Sequence, residues 1–307
     1  MLQRHARRGG VRLSRAALVG GVETGGTRVR CLVGAGPDDV RAETTVPTTT
    51  PAETLGRVVE FFRAHAGRIA AVGAACFGPI DLDRGSPTFG RITTTPKPGW
   101  GGADVVGALR TLSVPVAFDT DVNGAALGEY RWGAGRGVDP FVYVTVGTGV
   151  GGGAIVGGRP VHGLVHPEMG HVPIARDAGD TFAGACPYHG GCLEGLASGV
   201  ALRERWGAAP ETLPAEHDAW RLQARYLALG VAVIAAVLSP SRIVLGGGVM
   251  RAPGLLARVR AETAKALAGY VRAPDLVPPA LGERAGVLGA IALGQALLTE
   301  HGYNSVR

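Results

Sequence analysis

Phe141-Val142-Tyr143-Val144-Thr145-Val146-Gly147-Thr148-Gly149-Val150-Gly151-Gly152-Gly153-Ala154-Ile155-Val156 is an apolar run, a Gly/Thr turn and a returning apolar run. Runs rich in β-branched residues, broken by such a turn, read as two strands of a hairpin. The pattern has an echo near the start. Residues 17–22 lead into Glu23-Thr24-Gly25-Gly26-Thr27, and residues 28–33 run back out. A repeated supersecondary unit points to two lobes of common ancestry facing one another. Turns of this kind present backbone N–H groups and hydroxyls, which bind phosphate oxygens. Gly25, Gly26, Thr27, Thr148 and Gly149 are therefore the expected phosphate contacts. Glu23 stands at the first turn, where it could hold magnesium through water, because that ion keeps several waters and few carboxylates. A Walker P-loop is excluded. It passes from strand to helix and ends in Gly-Lys-Ser/Thr, and the only lysines, Lys97 and Lys265, stand in no such loop.

Outward from the hairpins, strands alternate with helices, which implies an α/β fold with largely parallel pairing in each lobe. Thr50, Pro51 and Glu53 read as a helix start with a capping box. Leu55, Val58, Val59, Phe62 and Ala66 follow at helical spacing. Further strands are expected at 69–77, 114–118, 138–146 and 242–245. Further helices are expected at 105–112, from 123 to about 132, and at 195–205, 220–238, 254–270 and 286–299.

A second chemical stretch runs from His166 to Glu194: His-Pro-Glu-Met-Gly-His, then Cys-Pro-Tyr-His-Gly-Gly-Cys-Leu-Glu. His171, Cys186, His189 and Cys192 make a tetrahedral nitrogen and sulfur set for structural zinc. Glycines loosen this segment and few large apolar residues hold it. A structural zinc contributes roughly 10–16 kcal/mol of apparent binding energy, enough to order such a loop. Closing the loop would bring Glu168 and Glu194 near each other and near His171, ready to accept hydrogen bonds from a polyol. A carboxylate at the end of the strand at 114–118 would suit a general base. Asp119 and Asp121 both stand there, and a helix-capping role competes for either. These acids with Asn123, and no apolar pocket motif, suit a sugar better than a lipid.

Composition agrees with a globular protein: of 307 residues, 46% are hydrophobic and 18% charged. The four cysteines do not form a secreted disulfide framework, so a reducing cytoplasm is expected. The net charge of +6 is concentrated at the start, where Arg4, Arg7, Arg8, Arg12 and Arg15 stand without an acid. Without them it is 6 − 5 = +1, so nucleic acid is not the expected partner. Residues 1–16 read as a disordered tail. The longest apolar run, 227–238, is too short to span a bilayer, so no membrane partner is expected.

Six motifs in order carry a family resemblance over about residues 18–300. They are Gly-Val-Glu-Thr-Gly-Gly-Thr, Thr-Thr-Pro-Lys-Pro-Gly-Trp, Asp-Thr-Asp-Val-Asn-Gly-Ala-Ala-Leu-Gly-Glu, Thr-Val-Gly-Thr-Gly-Val-Gly-Gly-Gly, Glu-Met-Gly-His and Leu-Gly-Gly-Gly-Val. The chain resembles the ROK sugar kinases, most closely their bacterial fructokinase branch. The resemblance implies an actin-like, ribonuclease-H-like α/β fold of two lobes with a zinc-stapled loop. The lobes are drawn at 17–116 and 117–289, with a C-terminal helix from about 290 to 307 packing back on the first. It further implies transfer of the ATP γ-phosphoryl group to a hexose with magnesium, a homodimer, and Asp121 as the base. Glu168, His171 and Glu194 would bind the sugar, with Gly78 and Asn123 nearby and Gly247 and Gly248 by the adenosine. His171 would use its second ring nitrogen on the sugar. Glu23 and Arg28 depart from the Asp and Lys common in the family, and Thr120 from the Asn usual in its glucokinases. Thr120, the Cys-x-x-His-x-x-Cys spacing and the 97–100 loop point to fructose. Glucose, mannose or an amino sugar remains the alternative. A ROK transcription regulator would need a helix-turn-helix domain before residue 17, and the sixteen residues there are too few.

Overall fold

The computed structural model describes residues 17–304, so the basic tail at 1–16 lies outside the described residues. The first sheet takes β1 (Leu18–Thr24), β2 (Arg28–Gly36), β3 (Asp39–Pro47), β4 (Ile69–Cys76) and β5 (Val116–Thr120), in the order β3-β2-β1-β4-β5. The second takes β6 (Phe141–Val146), β7 (Val150–Val156), β8 (Arg159–Pro160), β9 (Arg242–Gly246) and β10 (Asp275–Val277), in the order β10-β9-β6-β7-β8. The two orders superpose when β6 is laid on β1. In each sheet an antiparallel meander lies on one side of the central strand and two parallel strands on the other. The expected echo of the two hairpins is thus an echo of two whole sheets.

Largely parallel pairing was expected, and half of the pairings are antiparallel. The reason is local: a tight turn joins only antiparallel neighbours, and parallel strands need a long crossover. β5 completes the first sheet, so the lobe boundary falls after residue 120 and not at 116.

The helices are α1 (Pro51–Arg63), α2 (Val105–Arg110), α3 (Asp121–Trp132), α4 (Leu193–Ala197), α5 (Gly199–Trp206), α6 (Ala219–Leu238), α7 (Leu255–Leu267) and α8 (Ala285–Asn304). In α1 the Thr50 hydroxyl accepts from the Glu53 amide, and Leu55, Val58 and Phe62 are buried in the core of the small lobe. The capping box is incomplete. Glu53 instead accepts from the Thr49 hydroxyl at 2.8 Å and pairs with Arg57 at 2.6 Å. The single helix expected at 195–205 is two helices, broken at Ser198, whose hydroxyl caps α5 by accepting from Ala201 N. α6 is long and apolar enough to cross a membrane by length and composition. Its Trp220, Leu222, Tyr226, Leu227, Val231 and Ile234 instead form the core of the large lobe with β6, β7 and β9.

α8 begins at Ala285, one residue before the 286 expected for the last helix, and runs to Asn304, beyond the expected 299. It returns to the small lobe, where Val287, Leu288 and Ile291 pack with Val19 and Leu32. Between the lobes α8 crosses α3 at glycines: a Cβ on Gly289 would lie 1.6 Å from the Gly124 carbonyl oxygen. The two backbones meet with no side chain between them. This close crossing sets α3, and the residues at its start, at the lobe junction.

Candidate active site between the lobes

The His171–Cys192 loop folds around four side chains. Cys186 and Gly190 form an isolated bridge, as do Pro173 and Cys192. Gly184 takes φ +105, and a Cβ there would lie 2.2 Å from the Gly190 carbonyl oxygen, so only glycine fits. One donor atom each from His171, Cys186, His189 and Cys192 falls within a 4.8 Å span. Cys186 Sγ lies 3.6 Å from His171 Nδ1 and 3.6 Å from His189 Nδ1, and Cys192 Sγ lies 3.7 Å from His171 Nδ1. Zinc at its usual bond lengths to nitrogen and sulfur has tetrahedral edges of roughly 3.3–3.8 Å. The donor set and its spacing therefore fit zinc.

The other face of His171 looks to the cleft: its Nε2 lies 3.8 Å from Glu194 Oε1. Glu194 Oε2 accepts from Val150 N at 2.9 Å, at the second Gly/Thr turn. A Cβ on Gly149 would lie 2.4 Å from that oxygen, so Gly149 makes room for the carboxylate. Glu168 stands nearby. Burial first, and the charge of Glu194 second, push its carboxyl up to about 7. The expected meeting of Glu168, Glu194 and His171 is present.

Asp119 and Asp121, which residue type alone leaves undivided and the family resemblance divides in favour of Asp121, are separated by their surroundings. Asp119 is 3% exposed and accepts from Thr120 N (2.8 Å), Asn123 Nδ2 (2.8 Å) and His162 Nε2 (3.0 Å). Its lone pairs are engaged. Asp121 opens α3, but Thr120 is the cap, accepting from Asn123 N at 3.1 Å. Asp121 Oδ1 accepts only from Val122 N among the described hydrogen bonds. Burial, then Glu23, then Glu168 push its carboxyl up to about 7. A carboxyl that titrates near neutrality and keeps free lone pairs is suited to accept a proton. Asn123, expected at the substrate, is 1% exposed and turned onto Asp119, with its Oδ1 buried and unpartnered. Gly78 lies where a Cβ would come 3.5 Å from the His166 ring.

Two cavities of 520 Å³ and 700 Å³ share Thr27, Arg28, Arg251 and Glu283 in their walls. Gly25 and Gly247 line the first, and Thr148 and Gly248 line the second. Gly26 and Gly149 line neither; Gly26 gives its carbonyl to Lys97 Nζ. Gly247 takes φ +91 against the Val146 backbone, where a Cβ would clash at 2.3 Å. Glu23 also faces this space. Burial pushes its carboxyl up to about 7 against the pull of Arg30 and Arg28, and its Oε2 is buried without a partner. An orphaned carboxylate oxygen beside this cavity fits a water of a magnesium ion.

Sequence reading passed over His162, His166, Arg251 and Glu283. Arg28 and Arg251, one from each lobe, both pair with Glu283, at 2.8 and 2.6 Å, and Arg30 joins them. Together these arginines hold the Glu283 carboxyl down to about 2. His162 and His166 flank Gly-Leu-Val with no periodic signal, and only folding shows what they face.

A family profile described as the ROK family matches residues 19–296. The chain is 50% identical over 291 residues to the fructokinase of Zymomonas mobilis, covering 91% of this chain and 97% of that one. It is 40% identical over 286 residues to the fructokinase of Pediococcus pentosaceus, covering 92% and 99%. Among solved structures, a ROK family glucokinase from Streptomyces griseus in complex with glucose and AMPPNP superposes with a TM-score of 0.73. It is 28% identical, with 91% of this chain and 99% of that chain covered.

Proposed function

The chain belongs to the ROK family, and on that premise we propose that it is a fructokinase, transferring the γ-phosphoryl group of ATP to the 6-hydroxyl of D-fructose. The observation that carries this is a contrast. Identity is 50% and 40% to two fructokinases and 28% to a glucokinase, at near-equal coverage. Asp121, free among acids at the lobe junction, supports the reaction type.

In this reading fructose lies beside Glu168, His171 and Glu194, with Gly78 leaving room at its edge. Asn123 acts through Asp119, which it holds. Asp121 takes the proton of the attacking hydroxyl; the sugar oxygen bonds to the γ-phosphorus, and ADP leaves with the electrons of the broken P–O bond. Such transfer depends on positioning and on neutralising charge. Gly25, Thr27 and Thr148 hold phosphates through their turns, Gly26 and Gly149 shape those turns without lining the cavities, and Gly247 and Gly248 border the adenosine. Magnesium bound with ATP supplies charge neutralisation, and Glu23 would hold it through water. Zinc on His171, Cys186, His189 and Cys192 shapes the loop, leaving His171 Nε2 for a sugar hydroxyl. We place the enzyme in the cytoplasm as a homodimer; two of its four cysteines are zinc ligands in this reading, and thiolate ligands suit a reducing compartment.

The test is an ADP-release assay with ATP and magnesium across fructose, glucose, mannose and amino sugars. Fructose should give the highest kcat/KM. Turnover of glucose with none of fructose would overturn the choice of hexose and keep the kinase.

A further inference from the structure

His166 is 5% exposed and takes no part in the steps above. It stands in the strap that leaves β8 and reaches the 3-10 turn Met169–His171 of the large lobe. Its Nε2 accepts from the backbone N–H of Ile80 at 3.2 Å. Ile80 belongs to the turn that follows β4, in the small lobe. A neutral imidazole has one donor and one acceptor nitrogen, so accepting at Nε2 leaves the proton on Nδ1. Burial holds His166 below its ordinary pKa, in keeping with the neutral ring. Nδ1 lies 3.3 Å from Glu168 Oε1.

One ring therefore reads both lobes: a small-lobe amide on one nitrogen and a large-lobe carboxylate on the other. Gly78 lies beside this ring, where a Cβ would stand in ordinary contact with it at 3.5 Å. A second imidazole fastens the same strap. His162 Nε2 lies 3.0 Å from Asp119 Oδ2, at the end of β5 in the small lobe. The strap is thus pinned across the cleft at His162 and His166, and Glu168 stands two residues after His166.

We propose that His166 is a positioning residue for hexose binding: anchored to the small lobe through Ile80, its ring stands against Glu168 Oε1 and fixes that carboxylate for a sugar hydroxyl. This rests on the assignment of Glu168 to the sugar. A loose carboxylate would lose hydrogen-bond geometry to the sugar, and misplacement on the ångström scale weakens such contacts by an order of magnitude or more. ATP, placed in the two cavities, would be little affected.

Two substitutions divide the contacts. His166→Asn can place an amide N–H where Nδ1 stood and loses the acceptor for Ile80. His166→Gln can place an oxygen where Nε2 stood and loses the donor toward Glu168. Steady-state kinetics on the intact chain, with the hexose the wild type turns over best, should show a KM for sugar raised about tenfold in His166→Gln. The KM for ATP should change less than twofold, and His166→Asn should recover part of the loss. In a Glu168→Gln background, His166→Gln should add little, because the carboxylate it served is gone. Sugar KM within twofold of wild type in both variants would overturn the inference. So would a His166→Gln effect that persists undiminished in the Glu168→Gln background, since that is the mark of a merely structural role. A wrong hexose shows in the wild-type enzyme, and a wrong role for His166 shows only in the variants.

Discussion

His171 turns Nε2 to within 3.8 Å of Glu194 Oε1 while its Nδ1 faces the sulfurs of Cys186 and Cys192. The loop that a metal would close and the carboxylate that the proposed function gives to the sugar share one ring. Shape and substrate binding are therefore coupled.

Metal analysis should find about one zinc per chain, as the four-donor set requires. Chelation, or Cys186→Ser, should lower the melting temperature and raise the KM for fructose together. Purified active enzyme without zinc would remove the staple from the account.

Asp121→Asn should keep sugar binding and lose about 10²–10⁴-fold in kcat, the usual contribution of a positioned base. Asp119→Asn should act differently. It disturbs the Thr120, Asn123 and His162 contacts and so lowers stability. Equal kcat in wild type and Asp121→Asn would end the role of Asp121.

The base works deprotonated, and its carboxyl is raised to about 7, so kcat/KM should fall as pH drops below about 7. Because Glu23 is one cause of that rise, Glu23→Gln should move the acid limb to lower pH. The sign for stability is opposite. Glu23, Asp121 and Glu168 are all raised to about 7 by folding. Ligand-free protein should therefore lose stability as pH climbs from the ordinary carboxylate range through about 7. A pH–rate profile and melting curves over the same range check both signs.

Gly289→Ala should destabilise the protein by about 1–3 kcal/mol or more, the cost of overpacking, because the new Cβ meets the Gly124 carbonyl at 1.6 Å. Urea unfolding measures it. An unchanged midpoint would mean that α3 and α8 separate easily.

The sequence alone determined a good deal of this protein, and for local reasons. Glycine and threonine between β-branched runs dictate hairpins wherever they fall, so both Gly/Thr hairpins and the doubled lobe were legible at 18–33 and 141–156. His171, Cys186, His189 and Cys192 were legible because metal donors are few and their types are specific. The tertiary structure decided what depends on neighbours distant in the chain. Asp119 and Asp121 have the same chemistry two residues apart, and only His162 and Asn123, closing on Asp119, leave Asp121 free. The antiparallel half of each sheet, the break at Ser198, and the reach of His166 from Glu168 to Ile80 belong to the same class. Periodicity records which face of an element is apolar. It does not record which elements meet, and burial, pairing and the position of a proton are properties of the meeting.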